Sequence, residues 1–406
     1  MSPVREHLVI VGASLAGLRA AEALRGQGFT GGLTLIGAEE HLPYDRPPLS
    51  KAVLTSDAEQ PPDTALPLPA ALDARWLLGR PATGLDPDAH TVTLADGTRI
   101  PYDGVLIATG ATARAWPEAF PRPPAGVLTL RGRDDAARLR ERLLPGRPVV
   151  VVGAGFLGGE IAAAARARGA EVTLVEAAAQ PLAGPIGAEG GAFVAGLHRA
   201  AGIDLRTRTT VTAFTSREGR LTGVTLSDGS RLPAETAVLA LGAEPATGWL
   251  ADSGLDTGAG LRCDPYLRAL RPDGSVVPDV VAAGDVVRAP YALAGGTPLL
   301  LGHWTNAAEQ GEAAARTLLQ PERPQPFDSI PSFWSDLHGT RLRSVGLPAL
   351  ADTTEVLELD EGARRLEIAY HRHGRLIGAL TIGRTSRLAG YRERLRHTAG
   401  QSPVPV

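Results

Sequence analysis

Short apolar runs alternate along the chain with stretches whose apolar positions recur every three to four residues, and the same order appears twice. Leu8–Val11 is an apolar run of strand length. A glycine-rich segment follows, then Leu15–Leu24 with helical periodicity, then a second apolar run, Leu33–Ile36, ending near Glu39 and Glu40. From Val149 the order returns: strand Val149–Val152, a glycine-rich turn, a helix from Phe156 to Arg168, strand Glu171–Val175 and then Glu176. Two β-α-β units in one chain predict a duplicated dinucleotide-binding fold. Each half closes on a buried strand ending in glycine, within Tyr102–Gly110 and Ala237–Gly242. Ahead of each, alternating segments meet at Asp96-Gly97 and Asp228-Gly229, the turn chemistry of hairpins.

Further along, Val280–Asp285 reads as another buried strand and Trp304–Leu319 as a helix. Pro321–Pro331 is proline-rich and reads as a linker. From there to Arg396, short alternating segments predict a small α+β C-terminal domain, with Gly400–Val406 frayed. The expected fold class is therefore α/β, with two Rossmann-type dinucleotide-binding domains plus that small α+β domain.

Composition narrows the function. A chain of 406 residues exceeds one ordinary core, and 44% hydrophobic with 21% charged residues suits a soluble globular protein. A net charge of −3 gives no reason to expect nucleic acid or an anionic membrane as partner. No apolar run is long enough to span a bilayer, since even the stretch from Val149 is interrupted by Glu160 and Arg166. The first strand begins within a few residues of Met1, leaving no room for a signal peptide, so the expected location is the cytoplasm. Cys263 is the only cysteine, which excludes an intramolecular disulfide, a redox dithiol and a cysteine-based metal cluster; no metal site is expected. Lys51 is the only lysine against 40 arginines, a bias typical of a GC-rich coding background. A lysine kept against that bias is either needed for itself or an ordinary solvated residue.

Gly153-Ala-Gly155-Phe156-Leu157-Gly158 is a full GxGxxG after a strand and at the start of a helix. The first glycine makes the tight turn, the second lets backbone approach a pyrophosphate, and the third lets helix pack on strand. The helix N-terminus then stabilises phosphate charge. Glu176, 18 positions past Gly158, is placed to accept hydrogen bonds from a ribose diol and to repel a 2′-phosphate, favouring NADH over NADPH. The competing reading is a glycine-rich core turn. In the first copy, Gly12-Ala-Ser14-Leu15-Ala16-Gly17, serine stands where the second glycine belongs; it is small, and its hydroxyl can itself bond a phosphate. Glu39 lies 22 positions past Gly17 and completes the pattern.

Five segments then occur in a telling order: Leu42-Pro-Tyr-Asp-Arg46-Pro-Pro-Leu-Ser-Lys51, Ala108-Thr109-Gly110, the Gly153 motif with Glu160, Ala283-Gly284-Asp285, and His303-Trp304-Thr305-Asn-Ala307. Together they resemble the FAD-dependent, NADH-linked ferredoxin reductases that serve bacterial haem monooxygenases and ring-hydroxylating dioxygenases. The resemblance implies a glutathione-reductase-type fold, in which an FAD-binding domain (1–113 and 243–325) is interrupted by an NAD-binding domain (114–242). Residues 326–406 would form the C-terminal domain. It also implies FAD as cofactor, NADH as electron donor, an acidic iron–sulfur ferredoxin as partner, and a monomer or weak homodimer.

Residue by residue, the resemblance implies that Glu39 holds the FAD ribose, that Arg46 and Lys51 lie along the cofactor, and that Ala82 meets the adenine through its backbone. Arg131 would contact FAD and Asp285 the ribityl chain. The helix starting near Trp304 would aim its N-terminus at the flavin pyrimidine, where reduced flavin gathers negative charge. Gly302 departs from the pattern, since relatives often carry glutamate there. Lys51 and Glu160 would face each other near flavin N5 as the catalytic pair, the cation favouring hydride acceptance and the carboxylate offsetting its desolvation. On the NADH side the implied set is the Gly153 motif with Glu160, Glu176 and Gly242.

Disulfide reductases of this fold need a CxxxxC pair in the first flavin-facing helix, and NADH peroxidases need a cysteine near His41 and Leu42. Neither is present, and Cys263 reads as structural. Electrons would then leave the flavin singly for an external acceptor. Phe333-Trp334-Ser-Asp-Leu-His338 resembles the segment bordering the flavin; Trp334 either covers the flavin edge, lies on the electron route or is a core tryptophan of the small domain. Arg341 and Arg343 either meet an acidic ferredoxin or form a solvated strand face. Two other readings stay open: a reductase for rubredoxin, quinone or oxygen, and a redox-sensing binding protein like apoptosis-inducing factor.

Overall fold

A computed structural model describes residues 5–400 of the chain. Its first sheet has six strands in the order Arg268–Leu270, Val276–Ala282, Gly104–Ile107, His7–Val11, Gly32–Ile36 and Arg75–Leu77, parallel except for the first pair. The second has five parallel strands: Asp204–Arg206, Glu171–Val175, Pro148–Val152, Thr236–Leu239 and Val127–Leu128. Strands covered on both faces need apolar residues at consecutive positions, which is why Leu8–Val11 and Val149–Val152 show no alternation.

The two first turns are built alike. A Cβ on Gly12 would lie 2.0 Å from the Ala108 carbonyl oxygen, and one on Gly153 would lie 2.4 Å from that of Ala240. Both glycines hold positive φ, +122° and +100°. At the third position of each motif the helix sits directly on the turn: a Cβ on Gly17 would be 2.0 Å from the Gly12 oxygen, and on Gly158 1.9 Å from the Gly153 oxygen. The middle position differs. Ser14 and Gly155 both have extended backbone, at φ −120° and −70°, and a Cβ on Gly155 would meet nothing within 4 Å. Neither the backbone nor the protein's own packing requires glycine there, so serine is accommodated.

Asp96-Gly97 and Asp228-Gly229 do close hairpins, with the glycines at φ +82° and +83°. The strand read as Val280–Asp285 is Val276–Ala282; Gly284, at φ +85°, turns the chain and leaves Asp285 beyond the sheet. The helix Ala183–Ala200 gave no clear periodic signal, because its glycine-rich sequence breaks at Gly187 (φ +75°). Helix Trp304–Leu319 packs against helix Leu15–Gly26 so closely that a Cβ on Gly311 would lie 2.5 Å from the Ala16 carbonyl oxygen.

After an irregular stretch spanning Pro321–Pro331, an antiparallel sheet runs Ser332–Leu337, Thr340–Gly346, Arg375–Ile382, Arg365–Arg372 and Thr353–Asp360. Helix Leu388–Gly400 lies against it, with Tyr391 and Leu395 buried. Gly400 is thus helical, and the rest of the end expected to fray lies outside the described residues. No helix among the described residues is long and apolar enough to cross a membrane.

Candidate functional site

A cavity of about 660 Å³ runs across the carboxyl ends of the strands of the first sheet. This is where open α/β sheets bind ligands. Its floor is the first glycine turn, with Gly12, Ser14, Leu15 and Ala16, and the facing turn Ala108-Thr109-Gly110. Glu39, Arg46 and Ala82 line one part of it, and Arg131, Gly284 and Asp285 another. His303, Trp304 and Ala307 bring the first turn of helix Trp304–Leu319 to its wall. Trp334 reaches it from the C-terminal sheet.

Two residues expected at the cofactor lie outside this lining. Gly17 is packed on the turn backbone, and the Thr305 hydroxyl donates to the Ser332 carbonyl at 2.9 Å.

Most charges along the cavity are paired. Glu39 accepts hydrogen bonds from Tyr44 Oη and from Arg46 Nη2, both at 2.5 Å. Burial disfavours its charge, but Arg46 and the Tyr44 hydrogen bond outweigh this and hold its carboxyl below the usual range. Burial, with the Glu39 contact, pushes the Tyr44 phenol up to about 12, so it remains a donor. Arg131 donates to Asp285 at 2.8 Å and to the Ala111 carbonyl at 2.8 Å. Burial lowers the His303 imidazole below its ordinary value against the pull of Asp285, favouring the neutral ring.

The second fold enters the same cavity through Phe156, Leu157 and Glu160 on the first turns of helix Phe156–Ala167. Lys51 Nζ stands 2.7 Å from Glu160 Oε2, and their side chains are 22% and 7% exposed, so this is a largely desolvated ion pair. The remaining members of the expected nicotinamide set, Gly153, Gly155, Gly158, Glu176 and Gly242, lie outside the lining. Glu176 accepts from the backbone N–H groups of Ala154 (2.6 Å) and Ala178 (2.8 Å), which fixes it at the Gly153 turn.

Several contacts here carried no sequence signal. Ser50 Oγ donates to Glu160 Oε2 at 2.5 Å, and Ser335 Oγ to Glu160 Oε1 at 2.6 Å. Trp304 Nε1 donates to Asp45 Oδ1 at 2.7 Å and meets Trp334 edge-on, with ring centroids 6.1 Å apart. Phe333 packs between Phe156 and His303, at 4.9 and 5.1 Å. Cys263 is buried away from the cavity, and burial raises its thiol far above its ordinary range. Among the described residues no cluster of three or more His, Cys, Asp or Glu side chains is placed to hold a metal ion.

Residues 6–311 match the family described as pyridine nucleotide-disulphide oxidoreductase, and residues 332–404 match the one described as reductase C-terminal. The chain is 36% identical over 348 residues to the benzene 1,2-dioxygenase system ferredoxin–NAD(+) reductase subunit of Pseudomonas putida, covering 84% of this chain and 80% of that one. It is 37% identical over 349 residues to rhodocoxin reductase of Rhodococcus erythropolis, covering 85% and 79%. Among solved structures it resembles Fdr9 (TM-score 0.86, 34% identity, 99% and 100% covered). It also resembles the reductase of the covalent putidaredoxin reductase–putidaredoxin complex (TM-score 0.87, 29% identity, 98% and 96% covered).

Proposed function

Because the chain belongs to the pyridine nucleotide-disulphide oxidoreductase family, oxidoreductases that work with FAD and NAD(H), we propose that it is an NADH:ferredoxin reductase serving a bacterial oxygenase. FAD, when bound, accepts a hydride and returns the two electrons one at a time. The observation that carries the reading is one cavity lined from both dinucleotide folds, with Lys51 and Glu160 where they meet and no cysteine within reach.

The residues fit FAD. The first turn, where Gly12 lets the backbone pack directly on the Ala108 carbonyl, floors the cavity, and the uncapped N-terminus of helix Leu15–Gly26 behind it offers free N–H groups to a pyrophosphate. Glu39 has lone pairs left for a ribose after its bonds to Tyr44 and Arg46. The N-terminus of helix Trp304–Leu319 supplies partial positive charge at the cavity wall. In the second fold, Gly153–Gly158 and Glu176 take NADH transiently, and Phe156 and Leu157 bound its approach. Lys51 holds a cation beside the reacting end of the cavity, and Glu160 keeps it there. Proximity and orientation carry the hydride step.

The same reading divides the chain into residues 1–113 with 243–325 for FAD, 114–242 for NADH and 326–406 beside the exit, in a cytoplasmic monomer or weak homodimer. The partner is an acidic iron–sulfur protein. Arg343 supports this: it lies opposite Trp334 in the strand register and has no ion-pair partner among the described residues, whereas Arg341 is engaged by Asp336.

Stopped-flow mixing tests the proposal. NADH should bleach the flavin, and an acidic ferredoxin should reoxidise it faster than rubredoxin, quinone or oxygen. Reoxidation by oxygen at the ferredoxin rate would overturn the assignment. Slow turnover with every acceptor and a persistent charge-transfer band would favour a redox-sensing binding protein instead.

A further inference from the structure

Every contact made by the Glu160 carboxylate is with a donor. Lys51 Nζ lies at 2.7 Å and Ser50 Oγ at 2.5 Å from Oε2, and Ser335 Oγ lies at 2.6 Å from Oε1. An ionised carboxylate accepts at both oxygens, so this donor set is matched to the anion. Lys51 and Ser50 come from the first fold and approach one oxygen; Glu160 comes from the second. Ser335 alone approaches the other oxygen, and it comes from strand Ser332–Leu337 of the C-terminal sheet. Its side chain is fully buried, so water cannot replace it. Strand neighbours hold it in place: Phe333 packs at a tilt against Phe156 one turn before Glu160, and Leu337 approaches Gly159.

We propose that Ser335 is a positioning residue for the redox site, acting through Glu160 on the ammonium of Lys51. The proposal rests on the reductase reading for its kinetic consequence, but its geometric part does not. The Ser335 hydroxyl pins Oε1, which sets the rotamer that presents Oε2 to Lys51. Lys51 also donates to the Pro47 carbonyl at 3.2 Å, so the ammonium is held from two sides at the cavity wall. Without Ser335, Oε1 is a buried anionic acceptor with no partner, and the carboxylate is free to rotate toward water and release Lys51. The C-terminal sheet thereby contributes to the site itself.

The single lysine makes this directly observable, because protein grown on ¹⁵N-lysine has one side-chain ammonium signal. In the unsubstituted holoprotein that signal should be sharp, its protons protected by Glu160 and Pro47. Ser335→Ala should broaden it toward that of a hydrated ammonium. The same substitution should slow flavin reduction at saturating NADH by about tenfold, the scale of one hydrogen bond to a charged group, with NADH affinity and FAD content unchanged. Ser335→Cys, close in volume but a weak donor, should repeat both effects and replaces the alanine variant if that one misfolds. An unchanged Lys51 signal in folded variants overturns the proposal, whatever the rate does. If NADH fails to reduce even the unsubstituted flavin, the reductase reading falls, and the Lys51 signal still decides the role of Ser335.

Discussion

Lys51 Nζ and Glu160 Oε2 stand 2.7 Å apart, joining the end of a short 3₁₀ turn in the first dinucleotide fold to the second turn of a helix in the other. That contact is made at the wall of the cavity, and Arg131 with Asp285 forms another ion pair between the folds along the same wall. Lys51→Ala should slow flavin reduction by NADH about 10- to 100-fold, roughly 1.4 to 2.7 kcal/mol of barrier, with FAD still bound. Lys51→Arg should not restore the rate, since a planar guanidinium does not replace a compact ammonium between Glu160 and the Pro47 carbonyl. Stopped-flow absorbance of the oxidised flavin checks both. Hydride transfer at the original rate would remove Lys51 from the mechanism.

Much of this arrangement could be read in the sequence because it depends on local rules. The Gly12 and Gly153 turns need positive φ and close backbone approach, and both leave a spacing signature. Consecutive apolar residues marked the doubly covered strands, and helix Trp304–Leu319 kept its period throughout. What stayed hidden is long-range. Ser50 and Ser335 lie 110 and 175 positions from Glu160, and a serine carries no periodicity that would announce such a partner. Thr305 illustrates the reverse, since its neighbours His303 and Trp304 line the cavity while its own hydroxyl turns to Ser332. Helix Ala183–Ala200 was obscured by its glycines, which weaken any helical pattern.

The two glycine turns predict opposite outcomes for superficially similar changes. Gly12→Ala forces a Cβ to 2.0 Å from the Ala108 carbonyl at a φ of +122°. It should cost at least about 1–3 kcal/mol in backbone strain alone and leave protein that no longer retains FAD. Gly155→Ser places a Cβ in open space at a φ of −70° and copies the residue already present at Ser14. It should leave the melting temperature within a few degrees of the original, and NADH should still reduce the flavin. Thermal unfolding and flavin content measure both; equal losses from the two substitutions would contradict the geometry.

Coenzyme choice should follow Glu176. Its carboxylate is fixed by the N–H groups of Ala154 and Ala178 at the edge of the Gly153 turn, where a 2′-phosphate would meet negative charge. Glu176→Gln keeps the shape and removes the charge. The ratio of kcat/KM for NADH over NADPH should fall about tenfold, a difference near 1.4 kcal/mol, mostly through better use of NADPH. A ratio that does not move would place the discrimination elsewhere.

Acid stability should report a buried histidine pair next to the site. His198, on helix Ala183–Ala200, is fully buried, and its Nδ1 lies 3.0 Å from Nε2 of His338 in the turn after strand Ser332–Leu337. Burial, with His338 beside it, pushes the His198 imidazole down from 6.5 to about 3. Burial and then Arg364, which donates to the His338 carbonyl, lower His338 as well. The folded state therefore binds fewer protons than the unfolded one below about pH 6.5. Stability from the neutral pair is complete above that value and is lost as pH falls toward 3, by about 1.4 kcal/mol per pH unit for a fully neutral histidine. His198→Leu should flatten the dependence of the denaturation midpoint on pH between about 6.5 and 4. Carboxylates that titrate lower in that range are common to both proteins and cancel in the comparison. Parallel curves would mean that water or a local opening already lets His198 take up its proton in the folded state.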